Sequence, residues 1–319
     1  MIGKNYLATK KDLEAINEAL RFVWHPKMKF VFQEKSKIAN TAVISYDSKF
    51  IYIWTQKELK GIDKMQSGHP KYLFYKIPHA LELKERWQYT WHADLWKNME
   101  KFLPDQIKRE NLFDIPRIGG GLLTPFVELQ KKRGFKYNPY VTGESYLATI
   151  IHEFGHNYWN QHKLWWYSNK EKNIEYLTAA KNLYQKGGGN PNIPLHIPTK
   201  SEVGELFAFC TEYYASSIFW PTHRQALDIF GKYRLKELIR EEKGKNLDKQ
   251  DSVLEPSKNL HDFSLVFGKI IFECHPKKWP SFLTSPPYLG SHYGLGGPGG
   301  GDGRLGLHGW GGSPEGRHD

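Results

Sequence analysis

The sequence has few cysteines and no long hydrophobic segment, and these absences exclude several classes of protein. Cys210 and Cys274 are the only two cysteines among 319 residues, too few for a disulfide framework and without the spacing of a cysteine metal site. No stretch approaches the roughly 18 consecutive apolar residues of a membrane-spanning helix. The N-terminal residues are polar and no apolar segment follows them, unlike a secretion signal. We therefore expect a soluble, reduced, cytoplasmic protein.

Positive charge is in excess, but it is dispersed. The formal net charge is +11, with basic clusters at 131–133 and along 232–249. The second cluster is interleaved with acidic residues, which is typical of a solvated helix surface rather than of a groove for a polyanion. Nucleic acid is therefore a possible partner but not the favoured one, and a peptide or protein substrate is expected instead.

The segment around His152 contains the candidate metal-binding residues. His152-Glu153-Phe-Gly-His156 has the order H-E-x-x-H. On an α-helix, residues four apart share a face, so both imidazoles can point at one metal ion. Glu153 is rotated by roughly 100° from His152 and can accept a proton from a water beside the metal. Two histidines and an open coordination position suit a catalytic zinc, one ion per chain.

The remaining pattern predicts an α+β protein with a small N-terminal β-sheet and a mainly helical second half. Strands are expected at 29–33, 41–46 and 50–55, the last two flanking a hairpin turn that starts at Asp47. Glycines 119–121 indicate a loop. Apolar spacing predicts an active helix that begins near Thr142 and further helices over 10–23, 91–103, 172–185, 201–219, 223–242 and 257–273.

One domain is expected over residues 1–288. Its first part, 1–139, holds the sheet and a helix, and its second part, 140–288, holds the active-site helix and the other helices. Residues 187–191 are rich in glycine and are interpreted as a linker rather than as a mobile lid. The glycine-rich tail, 289–319, contains too little apolar surface to fold and is predicted to be disordered.

A catalytic zinc usually has three protein ligands, and several residues compete for the third position. Glu205 lies on a later predicted helix, where Ala208 on the same face would allow close approach to the histidine helix. Glu202, one turn earlier, could instead orient a histidine. His162 follows His156 by six residues, but it could reach the ion only if the helix broke near Trp159.

His152-Glu-Phe-Gly-His156 followed by Glu205-Leu-Phe-Ala208 resembles the gluzincin zinc metallopeptidases, in particular the compact branch that includes anthrax lethal factor. The resemblance implies a zincin-like fold in which His152, His156 and Glu205 bind zinc. It also implies that Glu153 is the general base for peptide hydrolysis by a zinc-activated water. No exopeptidase motif is visible, which favours an endopeptidase.

The sequence departs from that family in its supporting residues. Many gluzincins have an acidic residue one turn after the ligand glutamate, where this chain has Phe209. Glu202 and Asn157 are the candidates to orient a histidine instead. Tyr213, Tyr214 and His223 are available to stabilise an oxyanion, but no motif selects one of them.

Two other functions stay open. The first is a DNA-associated zinc protease with His162 as third ligand, and the second is a zinc-binding module without catalysis. The intact Glu153 argues against the second, because a structural zinc site has four ligands and needs no base.

Overall fold

A computed structural model describes residues 5–81, 100–107, 117–162, 178, 181–182, 185–189, 200–243, 260–274, 277 and 279. Within these ranges the chain is α+β, as expected, with seven α-helices and a five-stranded mixed sheet. The helices are α1 (Lys10–Val23), α2 (Lys35–Ala39), α3 (Leu123–Lys132), α4 (Gly143–His162), α5 (Lys200–Phe219), α6 (Pro221–Lys243) and α7 (Leu260–Cys274). The strands are β1 (Ala42–Tyr46), β2 (Phe50–Thr55), β3 (Lys64–Met65), β4 (Leu73–Pro78) and β5 (Arg117–Gly120).

Most of the predicted helices are confirmed. The segments predicted as helices at 10–23, 201–219, 223–242 and 257–273 correspond to α1, α5, α6 and α7 within three residues at each end. Most residues of the helices predicted over 91–103 and 172–185 lie outside the described residues, as does the tail from 289. No helix in the described part of the chain is both long enough and apolar enough to cross a bilayer.

The chain divides into two compact units. The described residues of the first lie within 1–17 and 39–129, and those of the second lie within 18–38 and 130–288. The sheet belongs to the first unit. Helices α4 to α7 belong to the second, which contains every residue proposed for the metal site.

The sheet has the strand order β3-β4-β2-β1-β5. The predicted hairpin is confirmed, with β1 and β2 antiparallel and Tyr46 opposite Ile51. Asp47 closes its turn, because its Oδ1 accepts the backbone N–H groups of Lys49 at 2.7 Å and Phe50 at 2.8 Å. Alternate residues of β1, β2 and β4 build an apolar core on one face of the sheet, among them Ala42, Ile44, Ile51, Ile53 and Tyr75.

One strand prediction and one loop prediction are wrong. Residues 29–33 do not form a strand, because a 3-10 helix spans Pro26–Phe30. Proline fixes φ in its first turn, and the His25 ring accepts the N–H of Lys27, so local capping overrides β propensity. Conversely, Gly119 and Gly120 lie in β5 rather than in a loop, paired in parallel with Ile44 and Ser45 of β1. Backbone hydrogen bonds to a neighbouring strand define that strand, and glycine supplies them as well as any residue.

Helix α5 is the centre of the second unit and packs against α4, α6 and α7. Small residues permit the closest approaches. A methyl group added at Gly155 of α4 would lie 3.0 Å from Cα of Ala208 in α5, and one added at Gly268 of α7 would lie 2.9 Å from Cβ of Phe209. The expected role of Ala208 in letting two helices approach closely is thus confirmed, and it fixes the distance between the histidine helix and the helix of Glu205.

Candidate metal centre

Helix α4 begins where the sequence predicts. Thr142 precedes the helix, and its hydroxyl accepts the backbone N–H of Ser145 at 3.1 Å, while the backbone N–H of Thr142 is bonded to Ser145 Oγ at 3.0 Å. This reciprocal capping satisfies N–H groups that a helix start leaves without partners. Glu144 in the first turn interacts favourably with the helix dipole. The cap fixes the register that puts His152 and His156 on one face.

The apolar side of α4 anchors the helix in the second unit. Ile150, Ile151, Phe154 and Tyr158 are buried, as the sequence indicates. Tyr158 stacks on Phe207 of α5 with ring centroids 6.1 Å apart and an interplanar angle of 17°. The same helix directs His152 and His156 to Glu205 of α5.

Three side chains from α4 and α5 converge at this position. His152, His156 and Glu205 each offer one ligand atom, and these atoms lie within 4.8 Å of one another. The Nε2 atoms of the two histidines are 3.1 Å apart. Glu205 approaches them with Oε2 2.9 Å from His156 Nε2 and Oε1 3.6 Å from His152 Nε2. The structure therefore brings together the three residues that the resemblance implies as ligands.

This donor set fits a zinc ion. Ligand atoms bonded at about 2.0–2.1 Å to a tetrahedral zinc lie about 3.3 Å from each other. The two Nε2 atoms, 3.1 Å apart, and the pair of His156 Nε2 and Glu205 Oε2, 2.9 Å apart, are close to that value, while the other oxygen of Glu205 lies 3.6 Å from His152 Nε2. Two imidazoles and one carboxylate are also a donor set that catalytic zinc uses. The group could hold a metal ion.

The site is open on one side. His152 and Glu205 are buried, whereas 26% of the His156 side chain is accessible. Glu153, which follows His152 on α4, is also partly exposed. Solvent can therefore reach the group next to His156.

Glu212 orients His152 through Nδ1, the ring nitrogen that is not directed at His156. Its Oε2 lies 3.0 Å from Nδ1 of His152, and its Oε1 lies 3.0 Å from Nε2 of His223 on α6. All three side chains are buried. A ligand histidine commonly donates its second N–H to such a carboxylate, which fixes both the tautomer and the ring orientation.

Sequence reasoning missed Glu212 and its link to His223. Glu212 follows Glu205 by seven residues, two helical turns, and so lies on the same face of α5. That spacing is the sequence feature from which Glu212 could have been predicted to lie near the ligand group. Of the residues proposed to orient a histidine, Asn157 is instead bonded to Gln161, whose amide donates to its Oδ1 at 2.7 Å. The side chain of Glu202 lies outside the described residues.

Phe209 occupies the position where many gluzincins have an acidic residue. Its ring contacts the His152 imidazole edge-on, with centroids 4.7 Å apart at 82°. In this chain the buried carboxylate beside His152 is that of Glu212, three residues after Phe209.

The proposed oxyanion residues are engaged elsewhere. Tyr213 donates its hydroxyl to the carbonyl of Leu265 at 3.1 Å, and Tyr214 donates to the carbonyl of Lys27 at 3.0 Å. His223 is bonded to Glu212 and packs on Tyr140, with ring centroids 5.8 Å apart.

Two buried carboxylates make this region attractive to cations. Burial lowers the pKa of His152, but hydrogen bonds to Glu205 and Glu212 and the charges of both outweigh burial and raise that pKa to about 10. Burial raises the pKa of Glu212, whereas hydrogen bonds from His152 and His223 hold it below its usual value. Negative charge is thus fixed beside the imidazoles, and a proton or a metal ion balances it.

Tyr140 completes the surroundings of Glu212. It directly precedes the capped start of α4 and is buried. Burial, together with the charge of Glu212, raises the pKa of its hydroxyl well above the usual value. The phenol therefore stays neutral and keeps its proton for donation.

Comparisons of this chain with protein-family models, with curated proteins and with solved structures gave no match.

Proposed function

We propose that this protein is a zinc-dependent peptidase with a zincin-like, gluzincin-type active site, and that it acts as an endopeptidase. The observation that carries the proposal is the convergence of His152 Nε2, His156 Nε2 and the Glu205 carboxylate. Two of these residues frame the H-E-x-x-H motif and the third comes from a separate helix. These three residues would hold one zinc ion.

Zinc in this position would supply Lewis-acid chemistry, polarising a carbonyl and favouring deprotonation of water near neutral pH. The chain prepares the ligands for it. Glu212 accepts the Nδ1–H of His152, which leaves the Nε2 lone pair directed at the group. Glu205 contributes the negative charge that partly balances a dication.

Glu153 is the residue that would move the proton. On a helix, its position directly after His152 would put its carboxylate beside the ligand group, and its partial exposure keeps it accessible to a water and a substrate. The carboxylate would accept a proton from the attacking water and return it to the nitrogen of the leaving amine. A general base of this kind contributes typically 10²–10⁴-fold to a rate.

Three features favour catalysis over a purely structural zinc site. The described residues bring three protein donors to the group, whereas structural zinc has four. The group is reachable by solvent at His156. A carboxylate, Glu153, is available as base. Together they favour the enzyme over a non-catalytic zinc-binding module.

The alternative with His162 as third ligand requires a break that the helix does not contain. Helix α4 continues through Trp159 to His162, and Trp159 is itself buried. In an unbroken helix, His162 lies roughly 9 Å along the axis beyond His156, at 1.5 Å per residue. Glu205 needs no such break, because it reaches the group from α5.

The proposal is tested with the full chain, a peptide library and mass spectrometry. We expect one zinc per chain by metal analysis, cleavage within peptides, loss of cleavage with a chelator and recovery when zinc is restored. Glu153→Gln should keep the zinc and lose about 10²-fold or more of the rate. Glu144→Gln, on the exposed first turn of the same helix, is the matched control and should cleave at the parent rate.

Two results would contradict the proposal. One is a parent protein that binds zinc in the expected ratio and yet cleaves no peptide in the library. The other is a Glu153→Gln variant that keeps both its zinc and the parent rate.

A further inference from the structure

A surface of exposed aromatic and basic residues lies in the second unit, apart from the metal-ligand set. It consists of the last two residues of α3, residues from the loop between α3 and α4, and one face of α6. We call it the basic–aromatic surface, and its members are Lys131, Lys132, Phe135, Lys136, Tyr137, Ile229, Tyr233 and Lys236. From its composition and geometry we propose that it binds the surface of an anionic lipid bilayer.

The loop exposes large apolar side chains that soluble proteins usually cover. Phe135 is 59% exposed and Tyr137 is 52% exposed, the two highest values among the large hydrophobic residues of the described chain. Ile229 on α6 is a further exposed member, at 44%. Exposed apolar residues grouped in this way mark interaction sites, whereas single ones need no explanation.

The backbone is strained where it exposes Tyr137. Its φ is +61°, and it is the only described residue other than glycine with a positive φ. An aromatic residue in that region is a real outlier, which persists where the surrounding structure imposes it.

Contacts with α6 fix the loop in place. The rings of Tyr137 and Tyr233 meet edge-to-face, with centroids 5.5 Å apart at 68°. The ammonium group of Lys136 lies 5.2 Å from the Tyr137 ring and 5.8 Å from the Tyr233 ring. Ile229 and Lys236 are one turn either side of Tyr233 and share its face of α6. Loop and helix therefore present one continuous surface.

The charge of this surface selects an anionic partner. Lys131, Lys132, Lys136 and Lys236 are all exposed. Glu237, the acidic residue one turn after Tyr233, is paired with Arg240 at 3.7 Å, so it does not cancel these lysines. Lysines beside exposed aromatic residues are the pattern of segments that lie at the interface of an anionic membrane.

The ring geometry favours a bilayer over nucleic acid. Single-stranded nucleic acid binds through bases stacked on open aromatic faces. Here the two tyrosines are packed edge-to-face and Lys136 lies over both, so they do not offer a pair of open platforms. Insertion into the lipid interface needs apolar bulk and an amphipathic aromatic residue, which the exposed Phe135 and Tyr137 supply.

The test uses the full chain in vesicle sedimentation. We expect it to sediment with vesicles of phosphatidylcholine and phosphatidylserine, to remain in solution with phosphatidylcholine alone, and to be released by salt. Phe135→Ala should lower the partition coefficient about 10-fold. Lys131→Gln with Lys132→Gln should lower it about 5-fold for each charge removed.

A matched control comes from β3, where Lys64 and Met65 are both exposed. Lys64→Gln with Met65→Ala removes the same kinds of group elsewhere and should leave the partition coefficient unchanged. Melting temperatures show whether every variant is folded. No sedimentation of the parent with phosphatidylserine vesicles would overturn the proposal. So would equal weakening in the control, or salt-sensitive binding of a single-stranded oligonucleotide in place of the vesicles.

Discussion

The Oε2 atom of Glu212 lies 3.0 Å from Nδ1 of His152, so a buried carboxylate accepts the hydrogen bond that sets the orientation of this imidazole. The consequence is a defined tautomer. With the proton on Nδ1, the lone pair of Nε2 can bind a metal ion together with His156 and Glu205. The pairing connects the metal-ligand group to α6, because the other oxygen of Glu212 is bonded to His223.

Replacing Glu212 should weaken metal binding although Glu212 is not one of the proposed ligands. Glu212→Gln keeps the size of the side chain but removes the charge, and its amide can no longer accept hydrogen bonds with both ends. We expect zinc affinity to fall 10–100-fold, as for other residues that hold a ligand histidine. Competition with a chromophoric chelator measures this. Glu237→Gln, on the solvent side of α6, is the control. If Glu212→Gln bound zinc with the affinity of the parent, Glu212 would not have the positioning role.

His223 should act on the same site through Glu212. His223→Gln retains a donor where Nε2 lies, whereas His223→Ala leaves one oxygen of Glu212 buried and without its donor. An unsatisfied buried acceptor costs about 1–3 kcal/mol, and we expect urea unfolding to show a loss of that size for alanine and a smaller loss for glutamine. Zinc affinity should follow the same order. If both variants lost affinity equally, the hydrogen bond would not be the cause.

The sequence was sufficient for the parts of the site that depend on spacing within one helix. His152 and His156 share a face by the periodicity of α4, and Thr142 marks its start. Glu205 could be proposed because Ala208 follows on the same face. The partnership of Glu212 with His223 could not, because it joins two helices and depends on how α5 and α6 pack. A buried glutamate and an exposed one look the same in a single sequence.

The same limit explains the errors in the fold. Gly119 and Gly120 read as a loop because glycine disfavours strands, yet pairing with β1 decides their conformation. Residues 29–33 read as a strand because of their apolar content, yet Phe30 and Phe32 serve as packing residues. They contact Tyr214 and Tyr158, with ring centroids 4.9 and 5.3 Å apart. Strand pairing overrode local preference at Gly119 and Gly120, whereas at 29–33 the local cap around Pro26 overrode β propensity and the aromatic contacts followed.

Close packing of α4 and α5 should be sensitive to a single methyl group. In Gly155→Ala the new Cβ would lie 3.0 Å from Cα of Ala208 and 3.1 Å from Oγ1 of Thr211. Overpacking costs about 1–3 kcal/mol, which exceeds the gain of up to about 1 kcal/mol from replacing glycine in a helix. We expect a lower melting temperature and weaker zinc binding, because α5 carries Glu205.

Gly143→Ala provides the control for this substitution. It lies in the first turn of the same helix, and a methyl group there would meet no atom within 4 Å. Its melting temperature should equal or slightly exceed that of the parent, since only the helix preference changes. A similar loss in both variants would show that glycine is required in α4 for a reason other than the contact with α5.

The identity of the third ligand separates the gluzincin-type site from its alternative. Glu205→Ala should reduce zinc content severely and abolish cleavage, because it removes both a donor 2.9 Å from His156 Nε2 and a negative charge beside the group. His162→Ala should leave about one zinc per chain, since α4 runs past Trp159 without a turn. Metal analysis after dialysis against a weak chelator distinguishes the two, with circular dichroism to confirm folding.

Glu205→Asp is the finer test, because the shorter side chain keeps the charge but moves the donor back by about one carbon–carbon bond. Zinc affinity between those of the parent and of Glu205→Ala would show that distance as well as charge matters. Retention of zinc by Glu205→Ala together with its loss from His162→Ala would transfer the third position to His162 and remove the basis for a gluzincin-type site.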